Sequence, residues 1–221
     1  MFPSRDFPRH AVVWSQVAPR HATGELAHDQ YHIERVYRWA LRLAPEAGAD
    51  LDQAGAMALV HDLALVPKDS PDRALGGERS ALLAGEVLRF AGYDASAMTA
   101  IGEAVRTSSW SRGLVPTGPL GVVLQDADRL DALGALGLCR NLACAQFMSS
   151  QENPGRFYHP DDPLAQGGRA LDDRRQALDH LPAKLLKLAA GMHLPSARAE
   201  AAHRQAFLLA FQEQVARELL F

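Results

Sequence analysis

The stretch LDQAGAMALVHDLALV occupies residues 51–66 and decides how the rest of the chain is interpreted. Residues 54–60 are apolar without interruption, and two ionisable residues, His61 and Asp62, then precede another apolar run. A helix that is apolar on almost every side is buried in a soluble protein. We therefore expect a central buried helix from residue 50 or 51 to residue 65, ending before Pro67.

The composition favours helices in the rest of the chain as well. Isoleucine, valine and threonine together number 18 of the 221 residues, which is a low share for the β-branched residues that sheets favour. Leucine, alanine, arginine, glutamate and glutamine, which favour helices, occupy the periodic segments instead. Apolar residues at helical spacing indicate further helices over residues 11–21, 28–44, 78–91 and 94–107. The sequence predicts an all-α protein.

The second half of the chain continues this pattern. Residues 120–147 form one long helix or two, residues 171–192 are helical with a break at Pro182, and a last helix covers residues 196–220 with Ser196 as its cap. Three polar stretches rich in proline and glycine are expected to be loops, namely residues 67–77, 108–119 and 149–168. No repeat is visible, so we expect residues 1–221 to form a single-domain helical bundle.

Charge and hydropathy exclude several classes of function. The net charge of −3 at a pI near 6.3 argues against a chain-wide basic surface, so we expect no nucleic-acid partner. No apolar run approaches the roughly 20 residues of a membrane span, and residues 1–10 lack the apolar core of a secretory signal. The two cysteines, Cys139 and Cys144, are expected to be small core residues in a reducing compartment. We expect a cytoplasmic protein without a membrane partner, and a homo-oligomer is left open.

The ionisable residues within apolar segments are the candidates for chemistry. A carboxylate at the end of so apolar a helix costs several kcal/mol unless a cation accompanies it. An arginine paired with Asp62 would meet this need, with His61 as a hydrogen-bonded core histidine. His32, Asp126 and Asp128 also lie in apolar helical segments, however, and a mixed nitrogen and oxygen set suits a divalent ion. An open metal site supplies hydroxide at neutral pH, as hydrolysis of phosphate esters or anhydrides requires.

Three motifs in chain order carry a family resemblance. His32 is followed by IERV, residues 58–63 read ALVHDL, and residues 125–137 read QDADRLDALGALG. Together they resemble the HD-domain metal-dependent phosphohydrolase superfamily, and in particular its small stand-alone bacterial branch. The likeness covers about residues 27–190. It implies a helical domain of the HD type, a divalent ion (Mn, Fe, Co, Ni, Mg or Zn) and a small phosphorylated substrate such as a nucleotide, hydrolysed by metal-bound hydroxide.

The resemblance also implies the metal ligands, which are His32, His61, Asp62 and Asp128. Asp126 is the nearest competitor for the fourth position and is otherwise a candidate catalytic residue. Asp128 is preferred because it precedes Arg129 and Leu130, as the fourth ligand of the family precedes a basic residue and a leucine.

Basic residues are the candidates for holding phosphate. Lys68, seven residues after His61, matches a lysine of similar sequences and is a candidate for both catalysis and substrate binding, although a solvated loop lysine would look the same. Arg73 and Arg129 are candidate substrate-binding residues, and each could instead pair with a nearby carboxylate. His28 is interpreted as a capping residue or a group just outside the ligands.

One departure from the family pattern keeps other functions open. Similar sequences often carry a histidine before the second loop, where this chain has Ser108. A non-catalytic metal-bound binding or sensing module of the same fold is therefore the alternative to an enzyme. An oxygen-dependent metal enzyme ranks lower, because the sequence shows no surplus of ligands for a second iron.

Overall fold

Helices provide the regular structure of the chain. The computed structural model describes residues 2–21, 25–64, 66 and 70–219, with the side chains at 71 and 73 excepted. Within these residues all elements of regular secondary structure are helical. The only β-type pairing among them is the isolated bridge between Arg156 and Gln176. The all-α prediction is confirmed. Two compact units are present, Met1–Gly24 with His28–Asp128 and Glu25–Ala27 with Arg129–Phe221, and the single-domain prediction stays a prediction.

The first unit contains the helices that carry most of the sequence motifs. They are α1 (Pro8–Val17), α2 (Gln30–Ala47), α3 (Leu51–Val60), α4 (Gly76–Phe90), α5 (Ala95–Arg106) and the larger part of α6 (Gly118–Asp131). An aspartate begins each of α2, α3 and α5 by accepting a hydrogen bond from the backbone amide three residues later. These three carboxylates, from Asp29, Asp50 and Asp94, satisfy amides that have no partner within their helix.

Helix α3 forms the core of this unit. It packs against α1, α2, α4 and α5, and every residue from Ala54 to Val60 is buried, which confirms the prediction of a central buried helix. The predicted extension to residue 65 is wrong, because α3 ends at Val60. The imidazole of His61 ends it by donating from Nδ1 to the Ala58 carbonyl oxygen at 2.8 Å.

A close approach between α1 and α3 explains the glycine in the middle of α3. A Cβ at Gly55 would lie 2.2 Å from Cε1 of His10, which is fully buried. The Nε2 atom of His10 donates to the Asp52 carbonyl oxygen at 2.8 Å, and Nδ1 accepts from the Tyr37 hydroxyl at 2.8 Å. The histidine therefore ties α1 to both α2 and α3.

Among its described residues, the second unit contains the end of α6 and the α-helices α7 (Gly134–Met148), α8 (Leu186–Leu188) and α9 (Pro195–Glu218). The apolar run that began near residue 120 is two helices, because Gly134 takes a φ of +74° that favours glycine. At the end of α6, Asp131 pairs with Arg140 at 3.1 Å, so this buried carboxylate is matched within the unit. Helix α9 begins at Pro195 with Leu194 before it, and the prediction of Ser196 as a cap is wrong.

The segment between α7 and α8 is less helical than predicted. Residues 171–176 are not helical, because backbone groups of Arg175 and Ala177 bond to Arg156 instead. Asp179 holds this segment through two hydrogen bonds of 2.6 Å from Arg169 and one from the Asp172 amide. Short turns of mixed type follow at Ala177–Asp179 and Leu181–Leu185.

Two further predictions concern single features of the chain. Cys144 is buried as predicted, whereas Cys139 is exposed, so the prediction that both are core residues is wrong for Cys139. None of the helices in the described part of the chain combines the length and hydropathy that a bilayer span requires.

Candidate metal centre

His32 is placed by the first turn of α2. The Asp29 carboxylate accepts from the backbone amide of His32 at 2.9 Å, which fixes the start of the helix at this residue. The imidazole is turned into the first unit, where only 1% of the residue is exposed. The Asp29 cap thus places a buried imidazole, which can bind a metal through nitrogen, in the first turn of α2.

His61 is placed by the end of α3. A carbonyl oxygen can only accept, so the contact between His61 Nδ1 and the Ala58 oxygen puts the ring hydrogen on Nδ1. In the neutral ring, Nε2 then carries a lone pair. Nε2 is buried and makes no hydrogen bond within the described residues. Histidines that bind metals are typically oriented by a hydrogen bond of this kind from the second ring nitrogen.

Asp128 completes a three-residue cluster in the first unit. Its Oδ1 lies 3.7 Å from His32 Nε2 and 4.0 Å from His61 Nε2, and the two imidazole rings are 5.3 Å apart at 68° to each other. One ligand atom from each of the three residues lies within 4.8 Å of the others. The Asp128 side chain is 37% exposed, so the cluster is buried on its histidine side and accessible on its carboxylate side.

These donors fit a divalent cation. Two donors bound at about 2.1 Å to one ion cannot lie more than about 4.2 Å apart, and both carboxylate to imidazole separations meet that limit. The buried Nε2 of His61, which has no hydrogen-bond partner in the described residues, gains one in a metal. Two imidazoles with one carboxylate suit ions of the Mn to Zn series and leave positions for water and substrate.

Asp62 lies beside the cluster in an electropositive environment. Burial raises the pKa of its carboxyl, but the charges of the His28, His61, His32 and His21 imidazoles outweigh burial and hold that pKa well below its usual range. Asp62 is therefore a carboxylate at neutral pH. It is not one of the three clustered residues, and its role as a ligand stays a prediction.

Asp126 and Asp128 are two positions apart on α6, so their side chains leave the helix in different directions. Asp126 is fully buried, and Asp128 is the one that joins the two histidines. This arrangement favours Asp128 over Asp126 as the carboxylate ligand. The catalytic role of Asp126 stays a prediction.

The predicted phosphate-binding residues have different positions. Lys68 lies outside the described residues. Arg73 belongs to the short turn Pro71–Leu75, and its side chain is also outside the description. Arg129 belongs to the second unit, where its guanidinium donates to the Gly191 carbonyl oxygen at 2.6 Å. The substrate-binding roles of all three stay predictions.

Three further residues make local hydrogen bonds to the backbone. The hydroxyl of Ser80 accepts from the Ala64 amide at 3.0 Å and holds the chain just after Asp62. Ser108 donates to the Val105 carbonyl oxygen at 2.9 Å, so this position closes α5. His21 contacts the backbone of His28, and sequence analysis missed it because no motif or periodic position marks it.

Comparison with known proteins identifies the family. A model of the HD domain matches residues 30–133, the range that contains His32, His61, Asp62 and Asp128. Bacillus subtilis (strain 168) YpgQ is 30% identical over 195 residues, covering 87% of this chain and 84% of YpgQ. The chain belongs to the HD-domain family. The resemblance predicted from the motifs is confirmed.

Solved structures of similar proteins agree with this assignment. A Lactobacillus plantarum protein is 28% identical with a TM-score of 0.74, covering 95% of this chain and 96% of that one. YpgQ in complex with ADP is 26% identical with a TM-score of 0.69, covering 96% and 95%. An HD-superfamily hydrolase from Bacillus thuringiensis is 25% identical with a TM-score of 0.66, covering 95% of both chains. HD-domain membership supports a metal-dependent hydrolase.

Proposed function

We propose that this HD-domain protein is a divalent-metal-dependent phosphohydrolase that acts on a small phosphorylated molecule. The observation that carries the proposal is the cluster of His32, His61 and Asp128, in which two buried imidazoles face a carboxylate that is open to solvent. Such a donor set holds a cation while leaving it accessible to substrate. A structural ion site would be closed on all sides.

Each residue of the site has a proposed part. A divalent ion bound there would lower the pKa of water and polarise a phosphoryl oxygen. His32, His61 and Asp128 hold the ion, and Asp62 adds a carboxylate that is ionised at neutral pH. Lys68 and Arg73 are proposed to hold the anionic oxygens of the substrate, where a positive charge stabilises the charge that develops during hydrolysis.

Nucleotides are the first substrate class to test. YpgQ, which is similar over most of this chain, has been solved in complex with ADP. A nucleoside diphosphate offers both an anhydride bond and adjacent anionic oxygens, which suit a site with a cation and basic loop residues. The cytoplasm, where nucleotides and divalent ions are both available, is the proposed compartment.

The test is a screen of phosphorylated metabolites with purified protein and added Mn²⁺, Co²⁺, Mg²⁺ or Ni²⁺. Release of phosphate or pyrophosphate from at least one ester or anhydride is expected, and the His61→Asn variant should release none. The asparagine side chain keeps an amide that can donate to the Ala58 carbonyl oxygen, but it lacks the Nε2 lone pair that would bind the metal. Hydrolysis that is equal in the variant would place the activity elsewhere.

A metal-bound binding module is the second candidate. The observation that favours it is the hydroxyl of Ser108, which bonds to the Val105 carbonyl at the position where similar sequences often have a histidine. A module of this kind would bind a nucleotide in a metal-dependent manner without turnover. Calorimetric titration with ADP, followed by analysis of the recovered nucleotide, separates the two functions.

A further inference from the structure

His21 is a buried imidazole that the proposed metal ligation does not use. It ends the turn Ala18–His21 and is only 2% exposed. Its Nδ1 lies 3.1 Å from the His28 carbonyl oxygen, whereas Nε2 is buried and has no hydrogen-bond partner among the described residues. Burying a polar atom without a partner is unfavourable, so a group that satisfies it is expected.

The orientation of this ring follows from its one hydrogen bond. Because the His28 oxygen can only accept, Nδ1 of His21 carries the hydrogen and Nε2 of the neutral ring is an acceptor. Burial lowers the pKa of His21, which favours this neutral form. His61 has the same arrangement. Its Nδ1 donates a hydrogen bond to a carbonyl oxygen, and its Nε2 is buried without a hydrogen bond to any described residue.

The neighbours of His21 belong to the metal centre. Its electrostatic interactions are with Asp62, His61 and His28, and the His28 ring lies 6.1 Å from the ring of His32. His21 is not one of the three clustered residues and is therefore outside that ligand set. Asp62, its anionic neighbour, is a second acceptor.

His21 Nε2 and the Asp62 carboxylate are two acceptors that interact electrostatically, and one group with two hydrogens to donate can satisfy both. We propose that His21 is a positioning residue of the metal centre, whose Nε2 accepts a hydrogen bond from a water molecule that donates its other hydrogen to the Asp62 carboxylate. Such a water has both hydrogens engaged and its oxygen lone pairs directed away from the two acceptors. Waters that bridge buried polar groups in this manner are regular parts of protein structures.

The presence of the bridging water and its role in turnover depend on different observations. The bridging water rests on the buried Nε2 of His21, which has no hydrogen-bond partner among the described residues, and on the electrostatic interaction of that ring with Asp62. Its use in turnover rests on the proposed phosphohydrolase function, in which an oriented water is the reactant or a neighbour of the reactant. The experiment therefore needs one readout that does not depend on activity.

Two substitutions separate positioning from simple bracing of the backbone. His21→Asn places an amide at the position of Nδ1 and keeps the bond to the His28 oxygen, but removes the distal acceptor. His21→Gln places its amide at the position of Nε2, so its oxygen can replace that acceptor. For His21→Asn we expect kcat to fall about 10- to 100-fold with KM changed by less than about threefold. His21→Gln should recover a large part of this loss.

High-resolution crystal structures of the metal-loaded wild type and His21→Asn provide the readout without turnover. We expect a water within hydrogen-bond distance of both His21 and Asp62 in the wild type, and its loss in the variant. In protein loaded with ¹¹³Cd²⁺, scalar coupling should reach the Nε2 nuclei of His32 and His61 and not that of His21.

The outcomes are distinct. Absence of the shared water, or coupling of ¹¹³Cd to His21 Nε2, overturns the proposal, and so does unchanged kcat in His21→Asn. If wild type hydrolyses no phosphorylated compound, the proposed function fails while the shared water and the ¹¹³Cd spectrum still decide the position of His21.

Discussion

Asp128 Oδ1 lies 3.7 Å from Nε2 of His32, although the two residues belong to α6 and α2. The histidine is almost fully buried, whereas the aspartate side chain is 37% exposed. A carboxylate that is this accessible to solvent gains little from an isolated ion pair, because water and salt screen its charge. The pair is better explained as two donors for one cation, with His61 as a third.

Replacement of Asp128 tests this explanation directly. Asp128→Asn removes the charged oxygen, so we expect purified protein to lose most of its bound divalent metal and its hydrolytic activity. Asp126→Asn is the matched control, since Asp126 is two residues away on the same helix and does not belong to the cluster. Metal analysis after gel filtration measures both variants. Equal metal loss in the two variants would contradict the assignment of Asp128.

Removal of the metal should lower thermal stability. An ion that binds only the folded protein adds about 2.7 kcal/mol to the free energy of unfolding when its concentration is 100 times its Kd. Treatment with a chelator should therefore lower Tm, and added Mn²⁺ or Co²⁺ should restore it. Differential scanning calorimetry measures the shift. The His61→Asn variant should melt at one temperature with and without metal, and a shift of wild-type size in this variant would argue against the site.

His10 should make the stability of the protein dependent on pH. Burial lowers the pKa of His10 from its ordinary value of 6.5, while contacts with Asp52 offset part of the effect. As the pH falls, His10 is therefore protonated in the unfolded chain at a higher pH than in the folded protein. This contribution to stability is complete above about pH 6.5 and is lost as the pH falls below that value.

The measurement is the free energy of unfolding from urea titrations between pH 7 and pH 5. The slope for wild type should exceed that for His10→Gln by up to about 1.4 kcal/mol per pH unit, the value for one proton. Glutamine can keep the donor to the Asp52 carbonyl while removing the titrating ring. Identical slopes would show that His10 is protonated as easily in the folded as in the unfolded state.

Any side chain at position 55 should lower the stability of the protein while His10 is present. The Cβ of Gly55→Ala would lie 2.2 Å from His10 Cε1, so the helices must separate or the ring must move. We expect a loss of about 1–3 kcal/mol in the free energy of unfolding, typical of overpacked cores. Gly85→Ala in α4 is the control, because nothing lies within 4 Å of the added Cβ and alanine favours helices. In the His10→Ala background the cost of Gly55→Ala should shrink.

Local patterns predicted the parts of the fold that depend on neighbouring residues. The helical spacing of residues 28–44 corresponds to α2, and the apolar run of residues 54–60 is the buried helix that it indicates. The predicted cap at Ser196 failed because Pro195 already starts α9. The predicted helix over residues 171–176 failed because backbone groups there pair with Arg156, a contact that no local pattern reveals.

The residues of the site likewise include some that local motifs predict and one that only tertiary contacts reveal. His32, His61 and Asp128 could be predicted because each lies in a motif, although only the fold shows that their side chains meet. His21 could not be predicted, since its relevance depends on a hydrogen bond to the backbone of His28 and on burial near Asp62. Motifs thus predict ligands, whereas groups that act through a ligand are recognised by tertiary contacts.

Lys68 provides the last prediction, because its proposed role differs in kind from that of a ligand. Lys68→Ala should leave the metal bound, whereas Asp62→Ala should release it. A lysine that stabilises charge on the phosphoryl group contributes about 10²- to 10³-fold to turnover, so kcat should fall by that factor in Lys68→Ala. Lys187→Ala, which removes an exposed lysine of α8, should retain wild-type kcat and metal content. Wild-type turnover in Lys68→Ala would make Lys68 a solvated loop residue. A wild-type protein that binds metal and ADP but hydrolyses no ester or anhydride with any ion would favour the binding module, and Ser108 would then mark where the chain departs from its catalytic relatives.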